Sequence, residues 1–527
     1  MMPQPGWLRK PVHQVHLHQI GFVRRHTIQR GKISSPMNFD ALASPTRFLQ
    51  EMIGPTACDA VLREYEQWWE QEGRAISDSV DRAGTPWVRM FDAAGKRVDE
   101  ILYPPDYWRM LKHGYKAGVL WRAFEQQSLI SAFLLIYLTS FYDSGLSCPY
   151  TVSLSTAMPL SKYGDAAVKE RFLPKLLRRD DGVWQGAPWM TEIKGGSDLG
   201  ASVQTVAVPE DDCWRLTGDK YFASNAGAEL AVVAARPRGA APGVRGLALF
   251  LLPRLRANGE LNYTLRRLKD KIATRSVPTG EVELRDSEAY LLGGADEGIY
   301  LILEVLNVSR IANSVGSVAL AQRAMADALG FAQTRIAFGK HILDHPLLRR
   351  QFEERLRQLY ESFTLAWEAA QLLNEVWRER RPYSERYHLF RLLAHLAKYW
   401  TAEFAAQTAK WCMEVHGGQG VLEEFRVERW LREALILAIW EGTAHRQLLD
   451  ALEVIERKQA HHALVAYVEQ DGPAPELREL TREIDAHLKL SAEEWEAGWE
   501  AFGIRLAQAA ARALFANRTE QRAAAHR

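Results

Sequence analysis

"MTEIKGGSDLGASVQTVAVPEDDCWRLTGDKYFAS" runs from Met190 to Ser224. It is the point at which the character of the chain changes. Short runs rich in β-branched and aromatic residues alternate with turns from about Gly186 to Gly293, and this spacing predicts a compact all-β domain. Upstream, "PTRFLQEMI", "ACDAVLREYEQWWEQEG" and "PPDYWRMLKHGYKAGVLWRAFE" place apolar residues at helical spacing. Ser44 precedes Pro45, an N-cap followed by the proline that suits a first helical position. "SLISAFLLIYLTSFY" is apolar all round and predicts a buried helix, and "KYGDAAVKERFLPKLL" an amphipathic one. Residues 46–180 therefore read mainly as helices. Downstream of Gly298 long helical patterns return, long enough for a bundle packed by apolar stripes. "EQDGPAPE" reads as a linker before a last helical segment.

The fold class is thus mainly α with a central all-β domain. The expected layout is a basic leader at 1–36, a helical domain at 37–185, the β-domain at 186–293, a helical bundle at 294–460 and a helical extension at 461–527. The chain has 527 residues, 47% hydrophobic and 25% charged, with net charge +1. That balance gives no strong global attraction to nucleic acid or anionic membrane. The sequence has no apolar run of membrane-spanning length. Cys58, Cys148, Cys213 and Cys412 include no close CxxC pair, so no zinc site or disulfide framework is expected, in keeping with a reducing cytoplasm. The leader carries six basic residues and no acid. It reads as a disordered tail or an upstream start ahead of Met37, with a transit peptide as the alternative; "HQVHLH" within it suits only adventitious metal. The remainder holds 60 basic against 65 acidic residues.

Two stretches carry chemistry. In "MTEIKGGSD" the glycines permit close backbone approach, and Thr191 and Ser197 bring hydroxyls to the same loop. An ordinary capped turn fits that loop equally well. No GxxxxGK[ST] loop is present, and "HGGQGV" lacks the strand–turn–helix setting of a dinucleotide fold. The second stretch is "AIWEGTAHRQ", Ala438–Gln447. Its lone carboxylate, Glu441, follows an apolar run. Either it caps a helix or it is kept from bulk water to handle a proton.

Taken in order, "MTEIKGGSD", "GDKYFASNAGAEL", "RLKDKIATRSVPTGEVEL", "RIAFGK", "EVHGGQGVLEEFRVERWLRE" and "IWEGTAHRQ" resemble the flavin-dependent acyl-CoA dehydrogenase family over about residues 140–457. "GLSCPYTVSLSTAMPL", "RLKDKIATRS" and the carboxy-terminal extension resemble its AidB-like branch. The resemblance implies a helical domain, a β-barrel domain and a helical bundle, with FAD as cofactor. It places Met190, Thr191, Gly196 and Ser197 at the flavin ring and pyrophosphate. Phe222 matches a position usually held by tryptophan against the isoalloxazine, and Ser224 a hydroxyl near flavin N5. Arg335 and Phe338 match residues reaching the FAD of a neighbouring subunit. Glu414, Gly417 and Gly418 match the loop at the adenosine half, with Glu414 where glutamine is commoner; Thr443 matches a further FAD contact. Glu441 matches the catalytic base, and Arg310 a residue that holds the site electrostatically. Ser309 stands where some members carry the base instead. Asn307 and Val308 depart from the family's CoA-contacting residues.

The implied partners are an acyl-CoA substrate, an electron-accepting flavoprotein and further copies of the chain, as a dimer of dimers. In the AidB-like branch the extension is linked to DNA in the alkylation response, which is the alternative function. Charge opposes it: from Gln447 to Arg527 there are 10 basic and 14 acidic residues, whereas phosphate binding needs clustered positive charge. Only the tip, with Arg505, Arg512, Arg518, Arg522 and Arg527, is basic.

Overall fold

The computed structural model describes residues 39–525; the leader read at residues 1–36, and Arg527, lie outside them. Eight helices come first: α1 (Pro45–Ile53), α2 (Asp59–Trp68), α3 (Arg74–Ala83), α4 (Tyr107–Ala117), α5 (Trp121–Glu125), α6 (Ile130–Tyr142), α7 (Ser147–Tyr163) and α8 (Ala166–Leu176). Helix α1 starts as its sequence dictates. Ser44 Oγ accepts from the Arg47 amide at 3.1 Å, and Pro45 occupies the first turn. Helix α6 is buried from Ser131 to Tyr142, as its unbroken apolar face requires.

Two local readings are corrected here. The stretch 104–125 is two helices, because Gly118 ends α4 in a left-handed conformation (φ 104°). Residues 46–180 also contain a hairpin, β1 (Trp87–Phe91) paired antiparallel with β2 (Arg97–Leu102). Its turn is set by Asp92, whose Oδ1 accepts from the amides of Ala94 and Lys96 at 2.9 Å. The hairpin packs on the β-domain. Val88 and Ile101 lie against its core, and buried Asp99 accepts from the Leu265 amide at 2.9 Å.

The β-domain contains β3 (Gly186–Trp189), β4 (Val206–Glu210), β5 (Cys213–Ser224), β6 (Leu230–Pro237), β7 (Ala248–Pro253), β8 (Thr264–Leu268) and β9 (Thr279–Leu292), with a short α9 (Leu199–Ser202). Neighbours run β6–β4–β5–β9–β7, and β7 pairs back onto β6, which closes the sheet; β3 joins β6 in parallel and β8 joins β9. Closure removes free edges on that circuit. Side chains such as Trp189, Leu216, Val233, Phe250 and Val282 fill the interior.

The bundle follows: α10 (Gly298–Thr334), a two-residue ribbon β10 (Ile336–Ala337) and β11 (Lys340–His341), α11 (Pro346–Val376), α12 (Glu385–His416), α13 (Val427–Ile439) and α14 (Ala444–Lys458). The extension comprises α15 (Ala460–Val468), α16 (Pro475–His487) and α17 (Ala492–Ala525). Among the described residues no helix is long and apolar enough to cross a membrane.

Candidate active site at the turn between α13 and α14

The predicted residues fall into three neighbourhoods. The first is the barrel face around the 190–197 loop. It is held by a pair that the sequence reading did not single out. Lys220 on β5 and Glu192 in the loop form a buried ion pair at 2.7 Å. Glu192 also accepts from the Gln204 and Thr205 amides and from Thr205 Oγ1, while Lys220 Nζ donates to Ala234 O at 2.8 Å. Desolvation would raise the Glu192 carboxyl, but Lys220 and these donors hold it below its ordinary value. The Tyr221 amide donates to Thr191 O at 3.0 Å, and Trp189 Nε1 to Ser224 O at 3.0 Å. Met190, Thr191, Phe222 and Ser224 are thereby fixed on one face. A Cβ at Gly196 would meet Thr191 Oγ1 at 2.3 Å, so the loop has no room for a side chain there. Ser197 is exposed, and the Phe222 ring is 54% exposed. This half-exposed ring, with the Lys269 ammonium 4.9 Å from its centroid, stands beside hydroxyls and a glycine turn, a set that suits the isoalloxazine of a flavin.

The second neighbourhood is where α10 and α12 end. Phe331 stacks on His416 with centroids 4.4 Å apart, bringing the segment of Arg335 and Phe338 toward Gly417 and Gly418. All four, and Glu414, are exposed; Phe338 is 97% so, and Glu414 is engaged by Lys410.

The third is the Glu441 turn. Helix α13 ends at Trp440, and α14 has Thr443 as its N-cap residue, without a side-chain capping bond. Glu441 thus caps neither helix. It sits in a left-handed backbone conformation (φ 56°), which a non-glycine residue adopts only when its surroundings enforce it. Three side chains do so. Gln447 Nε2 donates to Glu441 O at 2.8 Å, Lys398 Nζ donates to Gly442 O at 2.7 Å and to Ala438 O at 3.1 Å, and Arg310 Nε lies 3.5 Å from Glu441 O. Gly442 has φ 109°, and a Cβ there would strike Gln447 Nε2 at 2.6 Å, so glycine is required after Glu441.

Arg310 is buried, donating to Asp450 Oδ2 at 3.1 Å and to Asn307 Oδ1 at 3.0 Å. Asn307 thus props Arg310, and Ser309 Oγ meets Ser155 Oγ at 3.0 Å. Gln447 is itself oriented by His395 Nδ1 at 3.0 Å. Burial depresses the His395 imidazole to about 3. An apolar wall completes the turn: Trp440 packs on Cys148, Val152 and Val277. Desolvation raises the Glu441 carboxyl above its ordinary value against the pull of Arg310 and Lys398. Burial and Arg310 bring the Lys398 ammonium down to about 7. The arrangement holds a carboxylate of raised basicity beside an apolar wall.

A helical domain, a closed barrel and a helical bundle that carries the Glu441 turn make up the architecture. Residues 187–287 match the family "Acyl-CoA dehydrogenase, middle domain" and residues 296–455 "Acyl-CoA dehydrogenase, C-terminal domain"; residues 41–181 match "Adaptive response protein AidB N-terminal domain". The chain belongs to the acyl-CoA dehydrogenase family, with an AidB-type amino-terminal domain. It is 29% identical over 464 residues to the putative acyl-CoA dehydrogenase AidB of Escherichia coli, covering 83% of this chain and 84% of that one. It is 30% identical over 408 residues to acyl-CoA dehydrogenase family member 11 of Caenorhabditis elegans, covering 73% and 66%. Its fold matches the solved structure of Bd2924 in its apo-form with TM-score 0.81 at 30% identity, covering 90% and 96% of the two chains. The Caenorhabditis elegans ACDH-11 complex with C11-CoA shares the fold at TM-score 0.80 and 24% identity, covering 95% and 90%. The cofactor is FAD.

Sequence reasoning missed Lys398, His395, Gln447 and Asp450, which grip the turn. "FRLLAHLAKYW" carried the signal: His395 and Lys398 share the apolar stripe of α12, where an unpartnered charge would be costly.

Proposed function

We propose that the protein oxidises an acyl-CoA thioester between Cα and Cβ, with Glu441 as the base. The observation that carries this reading is the Glu441 turn: a carboxylate raised in basicity, gripped at its backbone from three sides and backed by apolar side chains. The α-proton of a thioester is weakly acidic, so its removal needs such a base. Glu441 takes this proton at a carboxylate oxygen. Bound FAD supplies the acceptor for the β-hydride. Arg310 and Lys398 stabilise the ionised carboxylate before transfer, and Trp440 with its apolar partners excludes water. An acyl-CoA substrate is supported by the C11-CoA bound to the Caenorhabditis elegans relative of the same fold. Steady-state turnover with a panel of acyl-CoAs and an artificial electron acceptor tests the reading: 2-enoyl-CoA should form. An electron-accepting flavoprotein takes the electrons onward, in the cytoplasm.

The exposed Arg335, Phe338, Glu414, Gly417 and Gly418 support a site completed between subunits, with each chain lending these residues to its neighbour's FAD in a homotetramer. The domain divisions at 37–185, 186–293, 294–460 and 461–527 remain our proposal for the functional units.

The pH dependence follows from the two shifts. Catalysis requires Glu441 ionised, so kcat/KM should rise with pH through an apparent pKa above the ordinary carboxylate range. Lys398→Met removes a cation that favours the ionised form. Its acid limb should therefore move to higher pH, with FAD content retained. An unmoved limb in a stopped-flow pH series would show that Lys398 does not face the base electrostatically.

The alternative, an AidB-like DNA-binding flavoprotein with little turnover, gains no support from the extension. Arg505 pairs with Glu483 at 2.7 Å, Arg512 with Glu476 at 2.5 Å, and Arg518 with Glu368. These arginines are already neutralised within the chain. Weak or no duplex binding is expected near physiological salt. Submicromolar affinity of the leaderless protein in a fluorescence-anisotropy salt titration would promote the alternative.

A further inference from the structure

In the extension that follows α14, the start of α15 faces α16. His461 and His462 are consecutive, and their rings lie 4.2 Å apart by centroid. Both Nε2 atoms reach a single carboxylate oxygen, Asp485 Oδ1, at 2.9 Å and 3.1 Å. The three ligand-type atoms lie within 4.8 Å of one another, the one such cluster of three or more among the described residues. We propose that His461, His462 and Asp485 bind one divalent transition-metal ion of the zinc class, tying α15 to α16.

Two observations carry this. The donor set is chemically right: two imidazoles and a carboxylate are the borderline ligands that Zn2+, Ni2+ and Co2+ take, whereas Mg2+ and Ca2+ prefer oxygen. The spacing is close to what is needed. Tetrahedral coordination with bonds of about 2.0–2.1 Å separates ligand atoms by roughly 3.3 Å, so the two histidine–Asp485 pairs, at 2.9 Å and 3.1 Å, need open by only a few tenths of an ångström. His461 is fully buried, while His462 and Asp485 are partly exposed, so the site opens to solvent on one side. That side leaves room for water as a further ligand.

The hydrogen-bonded alternative demands more of the same atoms. One carboxylate oxygen then accepts from two imidazoles, each of which must carry its proton on Nε2. A metal replaces two N–H···O contacts on one oxygen with three coordinate bonds.

Isothermal titration of the full-length holoenzyme with Zn2+ tests the proposal. The titrated parent carries alanine at His13, His16, His18 and His26, which removes the competing histidines of the leader. One equivalent should bind, with a rise in Tm. Asp485→Asn and His462→Ala, made in that parent, should each weaken binding by at least about tenfold. His462→Ala alters a half-exposed side chain and should fold as its parent does without metal. No uptake by the parent, or equal uptake by both variants, overturns the site.

Discussion

Glu441→Gln should keep its FAD and its fold yet lose acyl-CoA-dependent flavin reduction by about 10²–10⁴-fold, the range a general base contributes. The reasoning is local. Glutamine has nearly the same volume, so Trp440 and its apolar partners keep their packing. The bonds that set the turn go to the main-chain carbonyls of Glu441 and Gly442, not to the carboxylate, and they survive the substitution. Only proton affinity is removed. Anaerobic stopped-flow reduction measures the effect, with FAD content and Tm as controls. Reduction as fast as in the parent would leave Glu441 without a catalytic part.

The second large effect is on stability. Lys220→Met should destabilise the β-domain by about 3–5 kcal/mol, the cost of stranding one partner of a buried ion pair. Lys220 is buried beneath the loop, and among the described residues Glu192 has no other cation within bonding distance. The variant should also release FAD more readily, because Glu192 ties the 190–197 loop to Thr205 and the Gln204 amide. Adding Glu192→Gln should recover part of the loss, since a neutral amide tolerates the site better than an unpaired carboxylate. Urea denaturation of the four proteins in this double-mutant cycle gives the coupling directly. An unchanged midpoint in Lys220→Met would mean that the pair contributes nothing.

The helix–β–helix order was legible because its signals are local. Ser44 and Pro45 mark a helix start, β-branched runs mark strands from Gly186 onward, and α6 declares its burial by composition alone. The hairpin at residues 87–102 was hidden by helical sequence on both sides, although "FDAAGKRV" carries a turn. Its reason to exist is tertiary: Asp99 and Val88 dock on a barrel strand more than 160 residues further on. The same limit applied to the site. Glu441 stood out because its neighbours are apolar. Its supports did not, because Lys398, Arg310 and Asp450 lie on three different helices and meet only in the folded chain. Glu192 and Lys220 are 28 residues apart and read as ordinary charges until the barrel closes.

The central claim, that the Glu441 turn performs acyl-CoA oxidation on this fold, is tested most directly by anaerobic titration of the purified yellow protein with acyl-CoAs of graded length and branching. The account predicts that at least one of them bleaches the flavin absorbance in the wild type and leaves Glu441→Gln yellow. A wild-type protein with full FAD occupancy that stays yellow against the whole panel would contradict it.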